Sequence, residues 1–276
     1  MILKGIKIAL DEKLREEQAG FRAGRSCTDQ IATLRIIVKQ SIKWQSSLYI
    51  NFIDFEKAFD SFSREVLWRL FRHYGMPDKV VTIIRALYEG FSAQVVHNGQ
   101  RTQPLNMRTG VRQGCLPSPL LFLVALDLVT RTAFDRKRGI QWTFTKSLED
   151  LSFADDLALL SHRIQDMRDK TQALEVQGGK VGLKINATKT KLMRIGTKRG
   201  DVVSVAGGRI EEVDEFTYLR SIVSKKGGTD DYIQARIGKA RQAFAILRPI
   251  WRSTALTTRT KRVLAEDLCS TRNEEE

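Results

Sequence analysis

Leu151-Ser152-Phe153-Ala154-Asp155-Asp156-Leu157-Ala158-Leu159-Leu160 sets two adjacent acids inside a run that is otherwise almost wholly apolar. The pattern predicts a hairpin over 150–161 with Asp155-Asp156 at its tip. Holding like-charged carboxylates together among apolar residues is costly unless something positive compensates. A third acid, Asp54, closes the apolar stretch Ser47-Leu48-Tyr49-Ile50-Asn51-Phe52-Ile53, which reads as a buried strand over 47–54. Each feature alone has an ordinary explanation. An Asp-Asp pair commonly serves a turn through its backbone hydrogen bonds, and a strand-end Asp can cap the next segment. Jointly they point to a divalent cation, because carboxylate oxygens suit the hard ion Mg²⁺. Two such ions lower the pKa of an attacking hydroxyl and stabilise the leaving oxygen of an in-line displacement.

On either side of these stretches the chain alternates helix and hairpin signals. Residues 26–44 predict a helix capped by Ser26 or Thr28, with Ile31, Leu34, Ile37, Val38 and Ile42 on its apolar face. A helix capped near Ser63 carries Val66, Leu67, Leu70 and Phe71 and stops at Gly75. Pro77 starts the next one, with Val80, Val81, Ile84, Leu87 and Tyr88. Residues 93–109 predict two strands joined at Asn98-Gly99. Residues 119–135 predict a buried helix, and Ile164 to about Gln177 another, broken by Gly178-Gly179. Short strands are expected at 190–195, 202–205 and 209–219. From Asp230 to Leu247 the pattern is an amphipathic basic helix with Ile233, Ile237, Ala240, Phe244 and Leu247 inward, and the acidic end, Asn273 to Glu276, is expected to fray. Helices mixed with antiparallel hairpins make the fold class α+β.

The 276 residues suit one large domain or two to three subdomains. Lys and Arg outnumber Asp and Glu by 46 to 32, a net charge of +14. That excess favours a polyanionic partner, against the alternative of a basic surface that only aids solubility. The longest apolar run, about Leu120–Leu126, is closed by Asp127, far short of the ~20 residues that span a bilayer. The first residues lack the charged and apolar regions of a secretory signal. Three scattered cysteines, Cys27, Cys115 and Cys269, argue against a disulfide framework and for a reducing, intracellular setting. Three histidines, none near a cysteine, argue against structural zinc.

Taken in chain order, the motifs resemble a known family. Phe153-Ala154-Asp155-Asp156 resembles the (Tyr/Phe)-Ala-Asp-Asp box of reverse transcriptases. Asp54-Phe55-Glu56-Lys57-Ala58-Phe59-Asp60 resembles the first palm motif of the non-LTR (LINE-type) retrotransposon branch. Gly110-Val111-Arg112-Gln113-Gly114-Cys115 with Ser118-Pro119-Leu120-Leu121-Phe122 resembles the second. Gln18-Ala19-Gly20-Phe21-Arg22, Gly24-Arg25-Ser26 and Asp29-Gln30 resemble a fingers segment. Gly182-Leu183-Lys184-Ile185-Asn186 with Lys189-Thr190-Lys191 resembles the fourth motif, and Phe216-Thr217-Tyr218-Leu219 the primer grip. Six motifs in family order cover roughly residues 17 to 250.

The resemblance implies a right-hand polymerase: partial fingers over 1–45, an antiparallel-sheet palm over 46–228 with a fingers-returning hairpin at about 91–110, and a truncated thumb over 229–276. It implies an RNA-directed DNA polymerase that uses two Mg²⁺ ions (Mn²⁺ as substitute), dNTP substrates, an RNA template and a DNA primer. It implies no membrane partner, an endonuclease segment or partner outside this chain, and a nuclear and cytoplasmic ribonucleoprotein setting. Asp54, Asp155 and Asp156 would hold metal, with a turn role as the alternative for Asp156. Phe59 would exclude a 2′-hydroxyl, or else be a core Phe. Gln113 would support the nucleotide and the template base and Gly114 would allow close backbone approach, or else both only form a turn. Arg112 would touch phosphate or be a surface Arg. Lys189 would neutralise the leaving pyrophosphate or be a solvated Lys. Asp60 reads as a local cap. Arg236, Lys239, Arg241 and Arg248 would track a duplex backbone or form a solvated face.

Four departures from the family pattern are visible. The family's fingers begin well upstream of Gln18, and residues 1–16 cannot supply all of the part that grips a triphosphate. Leu116-Pro117 replaces Pro-Leu, shifting the rigid φ by one position. Arg220 stands where Gly follows Tyr-Leu, a strain if the turn needs positive φ. Similarity fades after about Thr260. A catalytically inactive remnant that only binds RNA or RNA/DNA hybrid is the alternative these departures raise, and a fragment that never folds stably is a further one.

Overall fold

The computed structural model describes residues 2–97, 99–197, 202–228 and 230–263. Two units, up to Gly227 and from Gly228 on, are each compact. In chain order the first holds α1 (Ile2–Asp11), α2 (Cys27–Lys43), β1 (Leu48–Ile53), α3 (Ala58–Ser61), α4 (Arg64–His73) and α5 (Asp78–Ala86). Next come β2 (Ser92–Ala93), β3 (Val96–His97), β4 (Gln100–Arg101), β5 (Leu105–Asn106), α6 (Ser118–Ala133), β6 (Ile140–Gln141) and β7 (Ser147–Leu148). They are followed by β8 (Asp150–Phe153), β9 (Asp156–Ser161), α7 (Ile164–Val181), β10 (Lys191–Ile195), β11 (Ser204–Val205), β12 (Gly208–Arg209), β13 (Glu211–Glu212), β14 (Glu215–Tyr218) and β15 (Ser221–Ser224). The second unit holds α8 (Asp230–Ile246) and α9 (Arg248–Arg252).

The centre is a five-stranded sheet of order β13-β10-β1-β9-β8, antiparallel except for the β10–β13 edge pair. β1 is buried on both faces, which is why its sequence is nearly continuous apolar rather than alternating. Alternation still sorts its side chains. Tyr49 and Ile53 join the core built with α4, α5, α6 and α7, and Asn51 donates to Thr171 Oγ1 of α7 at 2.9 Å. Ile50 and Phe52 face the other way, toward Leu34, Ile37 and Val38 of α2 and Tyr218 and Val223 of the β14–β15 hairpin. The result is α+β, a sheet with helices on one side and a helix plus hairpin on the other.

The expected Ser26 cap is present: its hydroxyl accepts from Asp29 N. Several local expectations are corrected. α7 runs straight through Gly178-Gly179 and ends at Gly182, whose φ is +93°. A side chain at Gly178 would press on the Leu183 carbonyl, so close packing of the helix end onto the next segment suits glycine there. The expected strand over 209–219 is three short ones, because β13 pairs in parallel with β10 and β14 turns back onto β15. The hairpin over 91–110 consists of two separate short ladders, β2–β5 and β3–β4; Gly99 lies in its turn, and residue 98 is outside the described residues. Asp127 closes the apolar run in the sequence, but the helix continues past it. It sits inside α6, buried, accepting from Arg15 N, Tyr74 Oη and Arg131 Nε. In the second unit Ile233, Ile237 and Phe244 are exposed rather than inward. Cys269 and residues 273–276 are outside the described residues; Cys27 and Cys115 are free thiols.

Candidate active site

The β1–β9 register places Ile53 opposite Leu157. Asp54 directly follows β1 and Asp156 opens β9, and the two line one recess with Phe52. β8 and β9 join through the two-residue turn Ala154-Asp155, since Phe153 pairs with Asp156. Asp155 is thus at the tip, and Asp156 is the first residue of β9. Asp54, Asp156 and Lys189 line one recess together with Phe52, Phe216 and Tyr218. The apolar wall is well fixed: Phe52 stacks on Phe216 with ring centroids 4.2 Å apart, and the Tyr218 hydroxyl donates to the Leu151 carbonyl at 3.2 Å.

The acids perturb one another. Burial raises the pKa of Asp54; Lys189 opposes that rise and Glu56 adds to it. Burial also raises Asp155, partly offset by its own backbone, with Asp54 adding to the rise. Asp156 is pushed up to about 6 by desolvation, then by Asp155 and Asp54. Its side chain still reaches solvent, so water screens part of that repulsion. Asp54 Oδ1 is buried without a hydrogen-bond partner. Carboxylates that raise one another's pKa, with one buried oxygen unpartnered, fit a hard divalent cation. Among the described residues no three acidic, His or Cys side chains already close into a metal cage.

The segment 182–190 holds Asp54 by its backbone. Asp54 N donates to Thr190 Oγ1 at 3.2 Å, and Asn186 N donates to the Asp54 carbonyl at 2.8 Å. Asn186 Oδ1 in turn accepts from Thr188 N and Lys189 N, an Asx turn that presents exposed Lys189 at the recess. Asn186 and Thr190 belong to the fourth motif in the sequence, but their hydrogen bonds to Asp54 and Lys189 are not visible there.

Phe59, Arg112, Gln113 and Gly114 form a second cluster, joined to the first through residues 54–58. Half-buried Phe59 stacks on Phe122 of α6 at 4.5 Å. The loop before α6 is bolted to α3: Val111 N donates to the Phe59 carbonyl at 2.7 Å, Gly110 N to the Phe62 carbonyl at 2.9 Å and Thr109 Oγ1 to the Asp60 carbonyl at 2.8 Å. Gly110 combines a φ of +69° with a Cβ position only 2.4 Å from Asp60 Cα, so no other residue fits. Arg64 closes the loop from outside, donating to the carbonyls of Met107, Thr109 and Gly110. Sequence reading missed Arg64, because its three acceptors are backbone groups over forty positions away. Arg112 lies with its guanidinium 4.0 Å from the Phe91 ring centre, in the cation–π range. Gln113 is exposed, its amide 3.5 Å from both Asp60 carboxylate oxygens, a loose contact. Pro117 takes helical angles directly before α6, so the shifted proline is accommodated in the helix start. Gly114 has open space around its Cβ position and a φ of +77°; the turn conformation, not close packing, selects glycine. Arg220 stands at φ +62° after Leu219 at +48°, so the β14–β15 turn does require the left-handed region at both positions.

Residues 1–223 match the model of the family described as reverse transcriptase (RNA-dependent DNA polymerase). The chain is 32% identical over 179 residues to a retrovirus-related Pol polyprotein from the type-2 retrotransposable element R2DM of Drosophila melanogaster, covering 62% of the chain and 16% of that protein. It is 24% identical over 274 residues to a probable RNA-directed DNA polymerase from transposon BS of the same fly, covering 91% of the chain and 28% of that protein. The chain therefore spans a minor part of these relatives. Among solved structures it is similar in fold to apo telomerase from Candida tropicalis, at a TM-score of 0.55 and 15% identity over 80% of this chain and 43% of that one. Telomerase from Candida albicans with a fragment of telomeric RNA gives 0.54 and 14%, over 82% and 37%.

Proposed function

Because the chain belongs to the reverse transcriptase (RNA-dependent DNA polymerase) family, in its non-LTR retrotransposon branch, we propose that it extends a DNA primer on an RNA template with dNTPs. The observation that carries this reading is the convergence of Asp54 and Asp156 on one recess, with Asp155 at the turn beside them and Asp54 Oδ1 buried without a hydrogen-bond partner. Bound Mg²⁺ (or Mn²⁺) would compensate these acids, activating the primer 3′-hydroxyl and stabilising the leaving pyrophosphate. Asp54, Asp155 and Asp156 would hold it. Lys189, standing at the same recess, would neutralise negative charge that develops on the leaving group. Phe59, stiffened against Phe122, would form the floor beneath the sugar and reject a 2′-hydroxyl by bulk. Arg112 would meet phosphate, and Gln113 and Gly114 the nucleotide and template base. Most of the catalysis would be positioning plus electrostatics.

In this reading residues 1–45 are fingers, 46–228 palm and 229–276 the start of a thumb. The net charge of +14 supports contact with an RNA/DNA hybrid through its backbone. No helix among the described residues is long and apolar enough to cross a membrane. Target cleavage would fall to an endonuclease segment or partner outside this chain, and work on a nuclear or cytoplasmic ribonucleoprotein is proposed with it. The test is primer extension on an RNA template with Mg²⁺. Extension that disappears in Asp155→Asn supports the assignment. Template–primer binding without extension by the unaltered chain overturns it in favour of a module that only holds RNA or hybrid.

A further inference from the structure

We propose that Gln18 is a positioning residue for the metal-binding turn, acting through the peptide groups of Ala154. The proposal rests on the polymerase reading above for what the turn does, but the contacts stand by themselves. Gln18 is buried, 3% exposed. Its Oε1 accepts from Ala154 N at 2.9 Å and from Gly20 N at 2.8 Å, and its Nε2 donates to the Ala154 carbonyl at 3.2 Å. One side-chain amide therefore grips residue 154 on both its N–H and its carbonyl, 136 positions away in the chain.

The gripped residue needs a grip. Ala154 is non-glycine at φ +54°, in the sparsely populated left-handed region. Strain of this kind persists only where surroundings over-determine the backbone. The surroundings here come from residues 17–20, which run beside β8. Ala19 N donates to the Ser152 carbonyl at 2.8 Å, and Ser152 N to the Glu17 carbonyl at 3.3 Å. Gly20 approaches so closely that a Cβ there would stand 2.2 Å from Ala154 N. The carbonyl that Gln18 holds belongs to the peptide linking Ala154 to Asp155. Fixing that peptide fixes where the Asp155 side chain departs from the backbone. The Asp155 carboxylate accepts from its own backbone, so its direction follows that of the turn. The fingers-side segment thus sets the aim of an acid on the sheet, as an outer-shell partner orients a metal ligand.

The experiment compares the full 276-residue chain with Gln18→Met, Gln18→Glu and Gln30→Met. Gln30 is a second buried glutamine that ties the same segment, donating to the Glu17 carbonyl at 3.2 Å without touching the turn, so it reports generic loosening. Binding of Mn²⁺ is followed by electron paramagnetic resonance, alongside thermal melting and the Mg²⁺ and dNTP dependence of extension. Gln18→Met is expected to weaken Mn²⁺ at least about tenfold, the usual loss on removing an outer-shell partner. It should raise the Mg²⁺ requirement of extension similarly while leaving the KM for dNTP unchanged. Gln18→Glu keeps the acceptor contacts and loses the donor, and should fall between it and wild type; it stands in if Gln18→Met fails to melt cooperatively. Gln30→Met should leave Mn²⁺ affinity within twofold. Unchanged Mn²⁺ affinity in the folded Gln18 variants, or an equal loss in Gln30→Met, overturns the positioning role. Asp155→Asn separates the two claims: if it binds Mn²⁺ as tightly as wild type, the metal-site reading fails, whereas loss there with no effect at Gln18 sinks the clamp alone.

Discussion

Replacing Arg15 with Met should cost this protein several kcal/mol and invert how part of its stability responds to acid. Arg15 Nη1 and Nη2 meet the two oxygens of Asp150 at 2.8 Å each, and Asp150 has no exposed side-chain surface. Burial alone would push the Asp150 pKa up; the charge and hydrogen bonds of Arg15 outweigh it, with Ser152 and Lys170 assisting, and the net shift is downward. Removing one partner of a buried pair typically costs ~3–5 kcal/mol. Ser152 and Lys170 remain near Asp150, so about 3 kcal/mol at neutral pH is expected, roughly 6–12 °C in Tm at this chain length. In wild type the group's folded pKa is depressed. Its contribution is present above the ordinary carboxylate range and lost as pH falls through the depressed value. In Arg15→Met the uncompensated carboxyl is raised instead, so protonating it relieves the fold. The difference between the two proteins should therefore shrink from pH 7 to pH 5. Calorimetry at both values, with Arg15→Met/Asp150→Asn as the neutralised pair, provides the assay. The reasoning is refuted if the loss at pH 7 is under about 0.5 kcal/mol, the usual size of a surface substitution, if it grows on acidification, or if the double variant is no more stable than the single. Asp150 opens the strand that leads to the Asp155 turn, so extension should fall with stability.

Other parts of the molecule give three more expected outcomes. Gly110→Ala meets Asp60 Cα at 2.4 Å and a φ of +69°, and should cost about 1–3 kcal/mol in urea unfolding while raising the KM for dNTP. Arg220→Gly should raise the urea midpoint by the equivalent of ~1 kcal/mol, since it removes one left-handed non-glycine residue; a lower midpoint would show that the arginine's own contacts outweigh the backbone cost. Without metal, Asp54, Asp155 and Asp156 all have folded pKa values above the ordinary range, Asp156 at about 6, so this site should lose stability as pH rises from about 4 to about 6, the span between an ordinary Asp and that value. Millimolar Mg²⁺ should flatten that slope in melts against pH, and a slope indifferent to Mg²⁺ would contradict the metal assignment.

Much of the fold and the site was legible in the residues because the signals are local. The run Leu48–Ile53 is apolar on both faces except at Asn51, and its burial follows from that composition. Ser26 caps its helix through a contact three residues away. The turn at Asp155 announces itself as acids in an apolar hairpin. The contacts that escaped are long-range. Gln18 finds its peptide 136 positions on, Arg15 finds Asp150 at 135, and Arg64 finds carbonyls at 43 to 46. Nothing in the flanking residues marks such partners. Gly178-Gly179 misled for a related reason: glycine ordinarily weakens a helix, but here the end of α7 packs onto the segment after it. The apolar stripe of α8 predicts burial from periodicity, yet Ile233, Ile237 and Phe244 are exposed. Periodicity states which face wants cover, not what provides it.

The most direct test replaces Mg²⁺ with Fe²⁺ and generates hydroxyl radicals at the bound ion, so that the backbone is cut wherever it lies within a few ångströms. Cleavage at two places, around Asp54 and around Asp155-Asp156, suppressed together by excess Mg²⁺, is the predicted result. Cutting at one place only, or at neither, would contradict a metal shared between the end of β1 and the β8–β9 turn.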